Sequence, residues 1–285
     1  MAEIKIQKLA GVMGWPIHHS LSPQLHGFWL SKYGINGAYV PLAVSLKNIE
    51  AALRSLPKLG FAGTNLTAPL KEEAMRIVDH LDPVAERIGA INTVFVNEDG
   101  YLSGTNTDSI GFMENLKNGA PEWEPSKSSV VVLGAGGAAR AVVAALVDVG
   151  VPEIRLINRT LSRAHEVSLS VGGPVSVYGW SEANECLSGA GLVVNTTTLG
   201  MQGQPPMQIN LGGLPSDTVV TDIVYTPLMT PFLNQANTLG LKCVDGLGML
   251  LHQAALGFEG WFGQKPEVTD ELRTYVLTKI AERSG

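Results

Sequence analysis

Charged side chains are sparse in this chain of 285 residues, at 16%, and basic ones are the minority: 20 Lys and Arg against 26 Asp and Glu. A net charge of −6 argues against a nucleic-acid binder, so any anionic ligand has to be held by local groups rather than by the overall field. Cysteine is nearly absent. Cys186 and Cys243 make no disulfide framework and share no metal-ligand spacing, which implies a reduced, cytoplasmic setting. The six histidines, His18-His19 included, show no ligand pattern with carboxylates, so no metal is expected. An unbroken apolar run is missing too. The longest candidate, VVVLGAGGAARAVVAALVDVG (130–150), is interrupted by Arg140, Asp148 and several glycines, and reads as strand–turn–helix rather than a membrane span. The opening MAEIKIQKLAGVMG lacks the apolar h-region of a signal peptide.

What the chain does have is an apolar content of 45% and enough length for two domains. Strand and helix patterns alternate throughout, which predicts an α/β fold. Early strands are expected at KLAGVMG (8–14), GAYVPLAV (37–44), GFAGTNLT (60–67) and NTVFVN (92–97). Helices are expected in SPQLHGFWLSKYG, SLKNIEAALRSL and PLKEEAMRIVDHL, and a hairpin turning at Asp99-Gly100. The polar stretch NGAPEWEPSKSS (118–129) is a loop before a second series: VVVLG, EIRLIN, PVSVYG, GLVVNT, TVVTDIV and LKCVDG. That series reads as a doubly wound, Rossmann-type sheet. Two long amphipathic segments, 246–262 and 267–283, finish the chain.

The turn LGAGGAAR (133–140) follows a buried-type strand and opens a helix. Gly134, Gly136 and Gly137, with Ala135 and Ala138 between and after them, would let backbone approach a pyrophosphate at a helix N-terminus. At the end of the next strand a dinucleotide-binding domain usually places an acid to grip a ribose diol. This chain has Asn158, Arg159 and Thr160 there, with Arg163 one turn on. A carboxylate would repel a 2′-phosphate, whereas guanidinium groups bind one in a fork geometry. The expected cofactor is NADP(H).

Four stretches in the first half carry polar residues that core strands do not need. In GWPIHHSLSPQLH (14–26), Ser22-Pro23 reads as a helix start with Ser22 at the cap, and Ser20 and Ser22 together make a carboxylate site. Capping alone would account for Ser22 but not for Ser20. In NLTAPLK (65–71), Pro69 suggests a helix start with Lys71 in its first turn, where a cation opposes the helix dipole and gives up its proton more easily. Taken singly, Lys71 reads as a surface lysine beside Glu72 and Glu73. The other two are GAINT (89–93) and GTNTDSIG (104–111), where Asp108 would on its own be a helix cap.

Together these segments resemble the shikimate dehydrogenase family over nearly the whole chain. The match continues through the GAGGA turn and NRTxxRA to NTTTLGM (195–201), DIVYTPLMTP (222–231) and GLGMLLHQA (246–254). One departure stands out: Gly27 follows His26 where the family commonly has Asn. The resemblance implies reversible, NADPH-dependent reduction of 3-dehydroshikimate to shikimate, within aromatic amino-acid (chorismate) biosynthesis. It implies that Ser20 and Ser22 hold the substrate carboxylate, that Thr67, Asn92 and Gln253 bind ring hydroxyls, and that Tyr225 lies near the substrate. Lys71 and Asp108 are the implied catalytic pair. Gly134–Ala138, Asn158, Arg159, Thr160 and Arg163 match the cofactor side, with Gly246 and Met249 near the nicotinamide.

It further implies a substrate domain at 1–107 completed by the C-terminal helices of 246–285, a Rossmann NADP domain at 108–245, and an active site in a cleft that opens and closes. The expected partner is a small molecule, with the chain a monomer or homodimer. A quinate/shikimate dehydrogenase is the near alternative, although a strongly NAD-preferring form should carry an acid after the second Rossmann strand. A non-catalytic NADP(H) sensor would be expected to have lost Lys71 or Asp108, and both are present. A folate-type dehydrogenase/cyclohydrolase shares the two-domain plan, but the serine pair and the NTD stretch point away from it.

Overall fold

The computed structural model describes residues 7–284. Two compact units emerge: residues through Thr107 together with those from Leu251 onward, and Asp108–Leu250.

The first unit opens with β1 (Lys8–Gly14), α1 (Ser22–Lys32), β2 (Gly37–Ala43), α2 (Ile49–Ser55) and β3 (Phe61–Leu66). A two-residue strand β4 (His80–Leu81), α3 (Pro83–Ile88), β5 (Thr93–Val96) and β6 (Leu102–Thr105) follow. The strands form one sheet in the order β2-β1-β3-β5-β6-β4. β1 pairs parallel with both β2 and β3, while β5 runs antiparallel to β3 and β6. The β5–β6 hairpin turns where expected, with the Asp99 carboxylate accepting from the Tyr101 amide. One face of the sheet buries Met13, Leu53, Leu66, Ile91 and Val94. Gly27 leaves α1 intact, and a side chain there would meet open space.

The second unit contains α4 (Asp108–Gly119), β7 (Ser129–Leu133), α5 (Gly137–Asp148), β8 (Glu153–Asn158), α6 (Leu161–Val171) and β9 (Val175–Gly179). It continues with α7 (Ala183–Cys186), β10 (Ala190–Asn195), β11 (Val219–Asp222), α8 (Pro231–Thr238) and β12 (Lys242–Val244). Its sheet is all parallel, in the order β12-β11-β10-β7-β8-β9. Counted from β7, that is the Rossmann order 3-2-1-4-5-6. Val130–Leu133 are wholly buried, the unbroken apolar run that a parallel sheet covered on both faces requires.

The chain ends in α9 (Leu247–Phe262) and α10 (Asp270–Ser284). Among the described residues no helix is long and apolar enough to cross a membrane.

Candidate active site

In the first unit β1, β3 and β6 run the same way, so the segments after their C-terminal ends emerge along one edge of the sheet. Ser20 follows β1, Thr67 and Lys71 follow β3, and Thr107 follows β6; Asn92 enters the antiparallel β5 at that same edge. Backbone bonds hold them in place: Leu66 N–H to the Asn92 carbonyl at 2.8 Å, Ile91 N–H to the Lys71 carbonyl at 2.9 Å, and Asn92 N–H to the Thr105 carbonyl at 3.1 Å. The Asn92 amide donates to Thr107 Oγ1 at 3.0 Å and to Gln253 Oε1 on α9 at 3.3 Å. Asn92 is 2% exposed and Gln253 8%. A buried cluster of amides and hydroxyls with convergent donors and acceptors suits a polyhydroxylated ligand rather than an apolar one. On the loop before α1, Arg283 of α10 donates to the carbonyls of His19 and Ser20 at 3.0 and 3.2 Å, fixing the segment that carries the serine.

Two local expectations fail here. No helix begins at Pro69: the segment after β3 forms turns and a single 3-10 turn at Glu73–Arg76 before β4. In a helix the Lys71 carbonyl would accept from the amide four residues on. It accepts instead from Ile91, so a tertiary bond has replaced the helical one. Lys71 is therefore not in the first turn of a helix, and the dipole argument for its chemistry falls away. Its half-buried position beside the Asn92 strand is what remains. Nor does Ser22 cap α1. It is the first helical residue, Leu21 stands at the cap, and the Ser22 amide donates to Ser20 Oγ at 3.3 Å. Pro23 marks the helix start as expected, one position further in, and Ser20 supplies an acceptor for the Ser22 amide at the helix N-terminus. Ser22 is itself buried.

The second unit gathers its own set at the C-terminal edge of its parallel sheet, where open α/β sheets bind ligands. Gly134 has φ +109°, and a side chain on it would collide with Thr196 Oγ1 and Thr197 Cγ2. Gly136, by contrast, has ordinary extended backbone, and a Cβ there would meet nothing within 4 Å. Neither conformation nor protein packing demands glycine at 136, so its bareness leaves space for something outside the chain. No side chain caps the N-terminus of α5, which leaves its first amides facing that space. At the end of β8, Asn158 donates to the Thr160 carbonyl at 2.9 Å, shaping the turn into α6. Arg159, Thr160 and Arg163 are exposed. These features fit a dinucleotide pyrophosphate at the glycine turn and a phosphorylated ribose beside β8. Among the described residues no group of His, Cys, Asp and Glu could hold a metal ion.

A network centred on the buried Asp222 behind this edge escaped the reading of the sequence. Asp222, at the end of β11, accepts from Asn195 Nδ2 at 2.9 Å, from the Val224 amide at 2.9 Å and from Thr230 Oγ1 at 2.7 Å. Asn195 in turn accepts from the amide and hydroxyl of Thr197, at 2.9 and 2.8 Å. The loops 196–204 and 223–230, the second carrying Tyr225, thus hang from one carboxylate, and Gln202 N–H to the Thr226 carbonyl ties them at 2.9 Å. Burial pushes the Asp222 pKa up to about 6, against the lowering effect of its three donors. Gly246 packs directly on the Asp222–Ile223 backbone, where no Cβ would fit, and Met249 is buried one turn along. The available signal was an acid inside the apolar strand pattern TVVTDIV.

A Rossmann sheet with a bare glycine turn, joined in one chain to a mixed sheet bearing a buried amide–hydroxyl cluster, defines a two-unit, dinucleotide-binding class of protein. Family models agree: residues 12–94 match the shikimate dehydrogenase substrate binding domain, 119–201 match shikimate / quinate 5-dehydrogenase, and 246–270 match the shikimate 5′-dehydrogenase C-terminal domain. A shikimate dehydrogenase (NADP(+)) of Paramagnetospirillum magneticum is 59% identical over 271 residues, covering 95% of this chain and 98% of that one. The chain belongs to the shikimate dehydrogenase family. Among solved structures, shikimate 5-dehydrogenase from Thermus thermophilus in complex with NADP(H) and shikimate is 38% identical with a TM-score of 0.83, covering 98% of this chain and all of that one. Quinate dehydrogenase from Corynebacterium glutamicum in complex with NAD is 30% identical with a TM-score of 0.87, covering 95% and 99%.

Proposed function

We propose that this protein catalyses the reversible, NADPH-dependent reduction of 3-dehydroshikimate to shikimate, in the cytoplasm and within chorismate biosynthesis, as a monomer or homodimer. The observation that carries the reading is its end-to-end likeness to NADP(+) shikimate dehydrogenases, 59% identical in one case. In this reading the first unit binds substrate and the second binds NADP. Ser20 and Ser22 take the substrate carboxylate, and Thr67, Asn92 and Gln253 take its ring hydroxyls. The glycine turn Gly134–Ala138 takes the pyrophosphate. Asn158, Arg159, Thr160 and Arg163 take the adenosine ribose and its 2′-phosphate, with Gly246 and Met249 beside the nicotinamide and Tyr225 beside the substrate.

The cofactor, when bound, supplies or accepts the hydride at the carbon of the reacting hydroxyl. The chain's own work is proton transfer at the oxygen. As hydride leaves carbon, the hydroxyl must lose a proton, and a neutral Lys71 amine accepts it; in reduction the ammonium returns it. Asp108, the first residue of α4 and 5% exposed, orients that exchange and couples to its charge.

The deciding experiment is a spectrophotometric assay of shikimate against quinate, each with NADP and with NAD. Shikimate with NADP should give the highest kcat/KM. A quinate preference, or an NAD preference, would replace this reading with the quinate dehydrogenase one, which the Corynebacterium glutamicum likeness favours.

A further inference from the structure

The buried stripe of α4 runs through Asp108, Gly111, Phe112, Asn115 and Leu116, the spacing of one helix face. Asn115 is its odd member. It is 9% exposed, and a buried amide in mid-helix costs stability unless it is bonded. Its Nδ2 donates to the Asp245 carbonyl at 2.7 Å, on the connection between β12 and α9. The facing chain is shaped to receive it. Gly248, in the first turn of α9, has no room for a Cβ, which would run into the Asn115 amide. One turn further along α4, a Cβ on Gly119 would strike the Val244 side chain of β12. Two glycines and one hydrogen bond therefore seat α4 on the end of β12 and the first turn of α9. All of these residues belong to the second unit.

The seam joins the two halves of the proposed reaction. Asp108 is the first residue of α4, about two turns before Asn115 and on the same face. Asp245 uses its carboxylate as well as its carbonyl: Oδ1 accepts from the Leu247 amide at 3.0 Å and so fixes the first turn of α9. Gly246, pressed on the Asp222–Ile223 backbone, and Met249 flank that turn. Hydride and proton leave adjacent atoms of the substrate, so the groups that receive them must keep a constant spacing. We infer that Asn115 is a positioning residue for this reaction: it locks α4 to the start of α9, and so holds Asp108 in fixed register with Gly246 and Met249. This rests on the reading of Asp108 in proton exchange and of Gly246 and Met249 beside the nicotinamide.

The test is a double-mutant cycle of Asn115→Ala and Asp108→Asn, reading the single-turnover rate of hydride transfer by NADPH absorbance, both KM values and the melting temperature. Asn115→Ala should slow hydride transfer about 10-fold, because small misplacements of reacting groups are costly, and should change each KM by less than about twofold. Asn115→Asp keeps the shape but sets an oxygen against the Asp245 carbonyl, and should slow it at least as far. In the Asp108→Asn background the alanine change should cost less than about twofold, since the carboxylate it aligns is gone. Val167→Ala, a buried change on α6, is the stability control. It should lower the melting temperature with the rate constant unmoved, since unfolded protein reduces the amplitude of a single turnover and not its rate. A parent-like rate constant in Asn115→Ala, an equal loss in both backgrounds, or an equal slowing in Val167→Ala overturns the inference. Parent-like transfer in Asp108→Asn instead removes the proton-exchange reading, and this inference with it.

Discussion

The imidazole of His26 lies flat on the ring of Tyr39, centroids 3.9 Å apart and planes within 5° of parallel. Trp29 meets it edge-on at 5.7 Å, and Phe258 and Trp261 close the remaining sides at 5.8 Å. Neither ring nitrogen has a protein partner, and the residue is wholly buried. An imidazolium cannot be solvated in such an aromatic box, so burial pushes the His26 pKa down from 6.5 to about 3.

That depression makes the first unit acid-sensitive. Between pH 6.5 and 3 the unfolded chain binds a proton at His26 that the folded chain refuses, so stability is full above 6.5 and drains as pH falls. From pH 7 to 4.5 the loss should be about 2–3 kcal/mol. His26→Phe should flatten that slope in urea melts, whatever its offset at pH 7. Parallel slopes for the two proteins would mean that His26 finds solvent in the folded state.

Asp222 should act with the opposite sign in the second unit. Its folded pKa, about 6, lies above the unfolded 3.8, so its contribution is present at low pH and is lost as pH rises through 6. Parent stability relative to Asp222→Asn should fall by about 2 kcal/mol between pH 4.5 and 7. The amide keeps an oxygen for Asn195 and Val224, so the loops stay anchored. Calorimetry of both proteins at the two pH values checks this; a gap that does not change with pH refutes it.

How much of this was legible depended on where each hydrogen bond goes. The strands of the Rossmann sheet announce themselves because runs such as SVVVL are apolar without a break, and the glycine turn because its neighbours are strand and helix. The segment after Pro69 misled because its helical pattern is real, while Ile91 takes the Lys71 carbonyl from a part of the chain twenty residues away. Ser22 misled by one residue, since Pro23 fits the first turn at either of two positions. Tyr39 was invisible: in GAYVPLA a tyrosine is an ordinary strand residue, and only the register of β1 with β2 and β3 brings it to Asn65. Asp222 was quoted within a motif without a role, because its partners come from Asn195 and Thr230, which no local pattern links to it.

The cofactor reading predicts a change of preference. Arg159 and Arg163 are exposed at the end of β8 and in the first turn of α6, where no acid stands. Replacing both by Ala should weaken NADP binding and narrow its advantage over NAD, each lost charge-assisted contact costing about 1.5–3 kcal/mol. Calorimetric titration with NADP and with NAD reads both. Unaltered NADP affinity and preference in the double variant would sink the phosphate-clamp idea.

The proposed proton transfer turns on Lys71. Its place is set by the bond from Ile91 to its carbonyl, one residue from Asn92, rather than by a helix. In the proposed reading its amine meets the reacting hydroxyl of the substrate. If the amine exchanges the proton of that hydroxyl, Lys71→Ala should lower turnover by roughly 10²-fold or more, with the fold and NADP binding retained. Arginine should not rescue it, since a guanidinium stays protonated and cannot accept. Asp108→Asn should lower turnover too and also raise the shikimate KM, because a carboxylate can accept from a substrate hydroxyl where an amide serves less well. The measurement is turnover against pH at saturating substrate for parent and both variants. Near-parent turnover in Lys71→Ala across that range would remove lysine from the reaction and leave Asp108 as the proton acceptor.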